Sequence, residues 1–163
     1  MAKKYLEIYD TSITSKNFSG RPNDYGNTDR SFCVVIPNEE LAVQLKEDGW
    51  NIKVKRDQDG NTKYYYLPVK CNLNCKYPPQ IFVSVDGGQT YGPALTEKNL
   101  NNLDKQSVYI DSADVRISPR IWDRGIKAYI QEMYLRVSLD TFTARHNGGV
   151  NLFDPEQPSE DEE

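Results

Sequence analysis

The sequence predicts a mainly β domain, a small barrel or sandwich carrying one or two short helices. Three observations predict it. Short apolar or alternating runs recur between turn signals through most of the chain, and only one segment has convincing helical periodicity. One long stretch, residues 126–139, alternates apolar and polar residues with a single slip of register.

The elements follow in chain order. Ser31–Ile36 is a short apolar run stopped by Pro37, as a buried strand would be. Asn38 is a good N-cap, and Glu39 and Glu40 complement the positive end of a helix. Leu41, Ala42 and Leu45 line one face, and Gly49 ends the helix. Asn51–Lys55 alternates apolar and basic residues, Asp57–Gly60 supplies a turn, and Tyr64–Cys71 returns. Pro68 inside that return predicts an edge position or a bulge. Gln80–Val85 reads as a strand before Gly87-Gly88, which reads as a hairpin turn. A second short helix starts at Thr96 with Leu100 and Leu103 on one side, and Asp114–Ile117 is a further strand.

In residues 126–139 the apolar positions are 126, 128 and 130, then 133, 135, 137 and 139. A strand that slips by one near Gln131-Glu132 and resumes is bulged there. Its opposite face carries Lys127 and Tyr129 before the slip, and Tyr134 and Arg136 after it. Rings interleaved with cations suit single-stranded nucleic acid: bases stack on the rings while Lys and Arg follow phosphates. Candidates of the same kind are Lys53, Lys55, Tyr64, Tyr66, Lys70, Arg116, Arg120 and Trp122. The plain alternative is a solvated sheet face, since tyrosine favours strands anyway. The sequence does not settle which of Tyr64, Tyr65 and Tyr66 face outward.

Net charge is −4, but six of the 24 acids fall in the last ten residues: Asp154, Glu156, Glu160, Asp161, Glu162 and Glu163. Without them 18 acids face 20 bases, a mildly cationic body with an acidic tail. The organisation expected is an N-terminal extension over 1–13, a folded domain over 14–145, and a flexible tail over 146–163. Such a tail can cover a cationic groove and compete with DNA, or be offered to other proteins. With mean hydropathy −0.73 and no apolar run of spanning length, no membrane segment is expected. The N-terminus holds no signal-peptide core, and three cysteines suit a reducing cytosol.

Sharper chemistries find little support. Cys71 and Cys75 with Cys33 and His146 would make a zinc set, but only one close pair exists, and Cys33 reads as a buried small hydrophobe. There is no Walker A loop, HExxH or nucleophile elbow. Asp111 and Asp114 read as solvated residues flanking a strand. No cofactor, metal or catalytic residue is expected.

Taken in order, the segments Lys16–Gly20, Asp29–Ile36, Leu45–Lys53, Tyr66–Lys70, Pro78–Ile81, Arg116–Trp122 and Gly125–Tyr134 resemble the single-stranded DNA-binding proteins of tailed bacteriophages. The resemblance spans roughly residues 16–140. It implies an OB-type barrel with an acidic tail, and sequence-tolerant binding of single-stranded DNA during phage replication or recombination. It also implies the host cytoplasm as location, and phage or host replication proteins as partners of the tail; it leaves a homodimer open. Family tails commonly end in an aromatic residue, whereas this chain ends Glu162-Glu163 with Phe153 its last aromatic. The alternative is a phage protein-interaction module, an inhibitor or DNA mimic acting on a host enzyme through the tail.

Overall fold

The structure is a computed structural model and describes residues 5–22, 29–105 and 108–139. Eight strands form one sheet: β1 (Leu6–Thr11), β2 (Ile13–Asn17), β3 (Arg30–Ile36), β4 (Lys53–Arg56), β5 (Thr62–Cys71), β6 (Gln80–Ser84), β7 (Val108–Trp122) and β8 (Gly125–Leu139). Two helices, α1 (Glu39–Asp48) and α2 (Glu97–Asn101), lie between strands, and α2 runs on into a 3-10 turn at Asn102–Asp104.

Strand order along the ladder is β1-β7-β8-β5-β3-β2, with β4 added to β5 and β6 added in parallel to β8. The path is open, yet its two end strands are neighbours in the chain, separated only by Ser12. At that point the chain leaves β7 for β3: Val35 N–H donates to Ser12 O at 2.9 Å, and the Thr11 hydroxyl donates to Val35 O. One bent N-terminal segment thus serves both ends of a coiled sheet, which gives the OB-type form. The segment expected as an N-terminal extension, 1–13, therefore supplies β1 to the sheet.

Alternation places the core. Phe32 and Val34 of β3, Leu67 and Val69 of β5, Ile117 of β7, and Met133 and Leu135 of β8 are fully buried with Phe18. Removing such side chains from water contributes about 1.5–3 kcal/mol each. The slip in β8 is a bulge: Arg116 pairs with Glu132 and Ile117 with Ile130, so Gln131 is the extra residue. Asn38 caps α1 by accepting from Leu41 N–H at 2.8 Å, and Gly49 ends it at φ 108°. Thr96 caps α2 in the same way. Pro68 sits where β5 changes partners, after Tyr66 leaves β4 and before Lys70 meets β8, so its missing N–H costs no bond on that side.

Two local expectations are corrected. Gly87 and Gly88 do form a left-handed turn, but it joins no hairpin. The chain after it folds back over β6, with Gly92 N–H on Val83 O and Leu95 N–H on Ile81 O, and leads to α2. Asp111 and Asp114 lie within β7, a strand of 15 residues, where only Asp114–Ile117 was expected.

Candidate nucleic-acid interface

Cross-strand partners share a sheet face, and inward residues alternate with outward ones. On the β4–β5 hairpin Lys53 is opposite Tyr66 and Lys55 opposite Tyr64, all on the outer face. The Tyr64 and Tyr66 rings meet edge-on at 6.0 Å, while Tyr65 packs against the core. Two residues further along β5 from Pro68, Lys70 is opposite Tyr129 of β8. Tyr129 is opposite Ser118, and Lys127 is opposite Arg120. Nine predicted residues therefore share the outer face of adjoining strands: Lys53, Lys55, Tyr64, Tyr66, Lys70, Arg120, Trp122, Lys127 and Tyr129.

The rings on this face carry cations. The Arg120 guanidinium lies 4.4 Å from the Tyr129 ring centre, and Lys127 Nζ lies 4.4 Å from that of Trp122. Arg124 approaches the same indole at 5.5 Å. Among the described residues no carboxylate forms an ion pair with Arg120, Arg124 or Lys127, and Lys70 pairs with Asp29 at 3.0 Å. A cation over a ring is held by about 0.5–1 kcal/mol at an exposed site, weak enough to be exchanged for a phosphate.

Three clefts line up along this face. The largest, about 730 Å³, is walled by Lys46, Trp50, Lys70, Trp122, Arg124 and Lys127. The next, about 320 Å³, shares Lys70 and adds Arg30, Asn72 and Tyr129. The third, about 210 Å³, shares Asn72 and Tyr129 and adds Lys76, Tyr77 and Arg120. Sequence reasoning missed Lys46, Lys76, Tyr77 and Arg124. They lie on a helix end, in the loop after β5 and in the β7–β8 turn, where alternation has no reach. Their signal was local: Lys76-Tyr77 repeats the cation–ring pairing, and Tyr77 is 70% exposed.

The other three predicted residues, Arg116, Tyr134 and Arg136, stand on the far side of the Gln131 bulge in a different electrostatic setting. Arg116 donates to Glu7 at 2.8 Å and lies 3.6 Å from Glu132. Arg136 pairs with Asp10 at 2.9 Å and Asp114 at 3.0 Å, and also donates to Ser112 and Tyr91. The hydrogen bond to Asp114 most, and after it that to Tyr91, raise the Arg136 pKa. The Tyr134 hydroxyl donates to Glu132, which raises its pKa, and its ring stacks on Phe82 at 4.9 Å. A pocket of about 190 Å³ here is walled by Glu7, Asp114 and Glu132 as well as Arg116.

The cysteines are free. Cys71 is buried, which pushes its thiol up to about 11, and Cys75 is exposed. Cys33 is half-buried, not fully buried as expected, because it is opposite Pro68 on the outer face. Among the described residues no three His, Cys, Asp or Glu side chains are placed to hold a metal. His146 and the acids Asp154, Glu156, Glu160, Asp161, Glu162 and Glu163 lie outside the described residues. No helix among the described residues is long and apolar enough to cross a membrane.

A family model described as a phage ssDNA-binding domain matches residues 2–151. Among solved structures, the chain is similar to a C-terminal truncation of the single-stranded DNA-binding protein from bacteriophage Enc34. The TM-score is 0.48 at 10% identity, over 81% of this chain and 84% of that one. The same phage protein in complex with ssDNA matches at TM-score 0.45 and 11% identity, over 81% of this chain and 85% of that one. No curated protein matches the sequence.

Proposed function

We propose, as the chain belongs to the phage ssDNA-binding domain family, that its single-stranded DNA lies along the three joined clefts between α1 and the loop after β5. The function is binding rather than catalysis. The observation that carries the placement is the pair of cation-covered rings, Arg120 on Tyr129 and Lys127 on Trp122, on a face where those cations have no carboxylate partner among the described residues. Bases stack on rings of any kind, and Lys and Arg neutralise phosphates regardless of sequence, so such a face binds without reading bases. Lys76 and Arg124 extend the cationic track, as does Lys70, whose single solvent-exposed pair with Asp29 is weak enough to exchange, and Lys53, Lys55, Tyr64 and Tyr66 prolong it onto the β4–β5 hairpin. Every residue of the face comes from one chain, so it needs no second copy. We leave Arg116, Tyr134 and Arg136 out of it, because their charges and hydroxyl are engaged by carboxylates.

The setting is phage replication or recombination in the host cytoplasm. The acidic tail, 154–163, competes with DNA for the cationic face and, once displaced, is offered to replication proteins of phage or host. The alternative of a DNA mimic fits poorly with a face that presents cations where a mimic would present carboxylates.

The test is fluorescence anisotropy of labelled oligo-dT and of a matched duplex, titrated with the full chain and with a chain ending at Phe153. The expected result is preferred binding of the single strand, falling steeply with salt, and tightened at low salt by loss of the tail. A flat dependence of affinity on salt would remove the phosphate-tracking mechanism. No binding by either chain would overturn the reading itself.

A further inference from the structure

The β7–β8 hairpin ends in a ribbon with two unlike faces. Arg120 and Lys127 are cross-strand partners on one face, with Trp122 beside them under the Lys127 ammonium. Trp122 and Lys127 of that face line the largest cleft, and Arg120 lines the third. Ile121 and Ile126 are partners on the other face, Ile126 reaching the wall of the largest cleft and Ile121 standing clear of it. This second face continues the inward row of β7, which is core at Val115, Ile117 and Pro119. The row runs past the end of the barrel before it stops. Ile126 is still half-buried, but Ile121 is 79% exposed, the most exposed large apolar side chain among the described residues.

The base of the ribbon is fixed. Ile126 N–H donates to Gly49 O at 3.0 Å, and Trp50 bridges to Ile126. A side chain at Gly125 would meet Gly49 O at 2.9 Å, with φ at +132°, so this close seating on the end of α1 requires glycine. The tip is thus a braced projection, cationic and aromatic on one side, apolar on the other.

We propose that this tip is a wedge for the junction between single-stranded and duplex DNA, with Ile121 as its inserting side chain. The inference rests on the single strand occupying the neighbouring cleft. One strand then runs along the Arg120–Trp122–Lys127 face, and its complement is turned aside over the Ile121 face. The charge fits: Arg120 and Lys127 on the opposite face of the ribbon, with Arg124 over the Trp122 ring, hold the phosphates of the strand in the cleft and bring the duplex end against the apolar side chain. Apolar side chains insert between base steps as wedges, and the protein surface that the opened DNA then covers offsets the cost of unstacking. The occupant is therefore a terminal base step of DNA, and the activity is preferential seating at, and fraying of, a duplex end next to a single-stranded tail.

The experiment compares three labelled DNAs in the full chain and in I121S: oligo-dT, the same strand continued into a duplex, and a blunt duplex. A fluorescent adenine analogue placed at the first base pair of the junction reports fraying. The expected result is about fivefold tighter binding of the tailed duplex than of oligo-dT, because the buried side chain and the added covered surface together exceed the unstacking cost. The analogue brightens on binding. I121S abolishes both effects and leaves oligo-dT affinity unchanged, since Ile121 lies off the cleft. Equal affinity for the two DNAs, or a junction preference that I121S retains, overturns the wedge while the single-strand reading stands. Loss of oligo-dT binding by the unsubstituted chain overturns that reading instead.

Discussion

Strand β8 carries the same outward pattern, an aromatic ring two residues from a cation, on both sides of the Gln131 bulge. Lys127 and Tyr129 lie on one side, Tyr134 and Arg136 on the other. Their surroundings are opposite. On the hairpin side the cations rest on rings, and the described residues offer Arg120 and Lys127 no carboxylate partner. On the other side Arg136 is held by Asp10 and Asp114, and Tyr134 by Glu132. The difference teaches that a cation's chemistry is set by what crosses the sheet beside it. A guanidinium already paired with two carboxylates has little to gain from a phosphate, whereas one resting on a ring can exchange at small cost.

The largest expected effect breaks the hairpin side. Replacing Tyr129 and Trp122 together by alanine should cost about 1–3 kcal/mol of single-strand affinity for each ring that stacks a base. Anisotropy titrations with oligo-dT measure this, and thermal melts should change little, because both rings lie on the outer face. Tyr134→Ala is the matched control. It should leave affinity nearly unchanged, and an equal loss there would erase the distinction between the two halves.

Next in size is a break on the other side. Arg136 is 15% exposed on its side chain and ties β8 to β7, to Asp10 beyond β7, and to Tyr91. Arg136→Met should lower stability by about 2 kcal/mol, less than for a fully buried pair, because Asp10 remains in solvent. Urea unfolding reads this directly. The folded fraction should bind oligo-dT as the parent does, and weaker binding would return Arg136 to the interface.

Much of the fold was legible because its determinants are local. The α1 cap needs only Asn38 and Gly49 in their places, and the Gln131 bulge shows as one broken alternation. Most of β7 was not legible. Asp111 and Ser112 break its alternation and Pro119 reads as a strand stop, yet they are tolerated because β1 and β8 supply the partners. β1 was missed for a related reason: its core contribution reduces to Ile8 and Thr11. The interface was legible in residue type but not in grouping. Nothing near Arg136 in the sequence announces Asp10, 126 residues away, and alternation could not reach Arg124 or Tyr77 in their loops.

The smallest effect sharpens the comparison through pH. Partial burial would raise the Asp114 pKa, but the hydrogen bonds from Arg136 and from Asp10 N–H outweigh it and hold the carboxyl below the ordinary aspartate value of 3.8. A depressed pKa in the folded state contributes stability that is present above the unfolded value and lost as pH falls through the folded one. The Arg136 end should therefore loosen only in acid, below about pH 4. Asp86 adds to the same limb, since its bonds from Ser84 and Thr90 lower its pKa further. Asp114→Asn should melt lower than the parent at neutral pH, and the gap should narrow in acid as the parent's own carboxylate protonates. Thermal melts across that range decide it: a gap constant with pH would mean that Asp114 acts by shape and hydrogen bonding alone. Its negative charge would then not be what removes Arg136 from the pool of phosphate-binding cations.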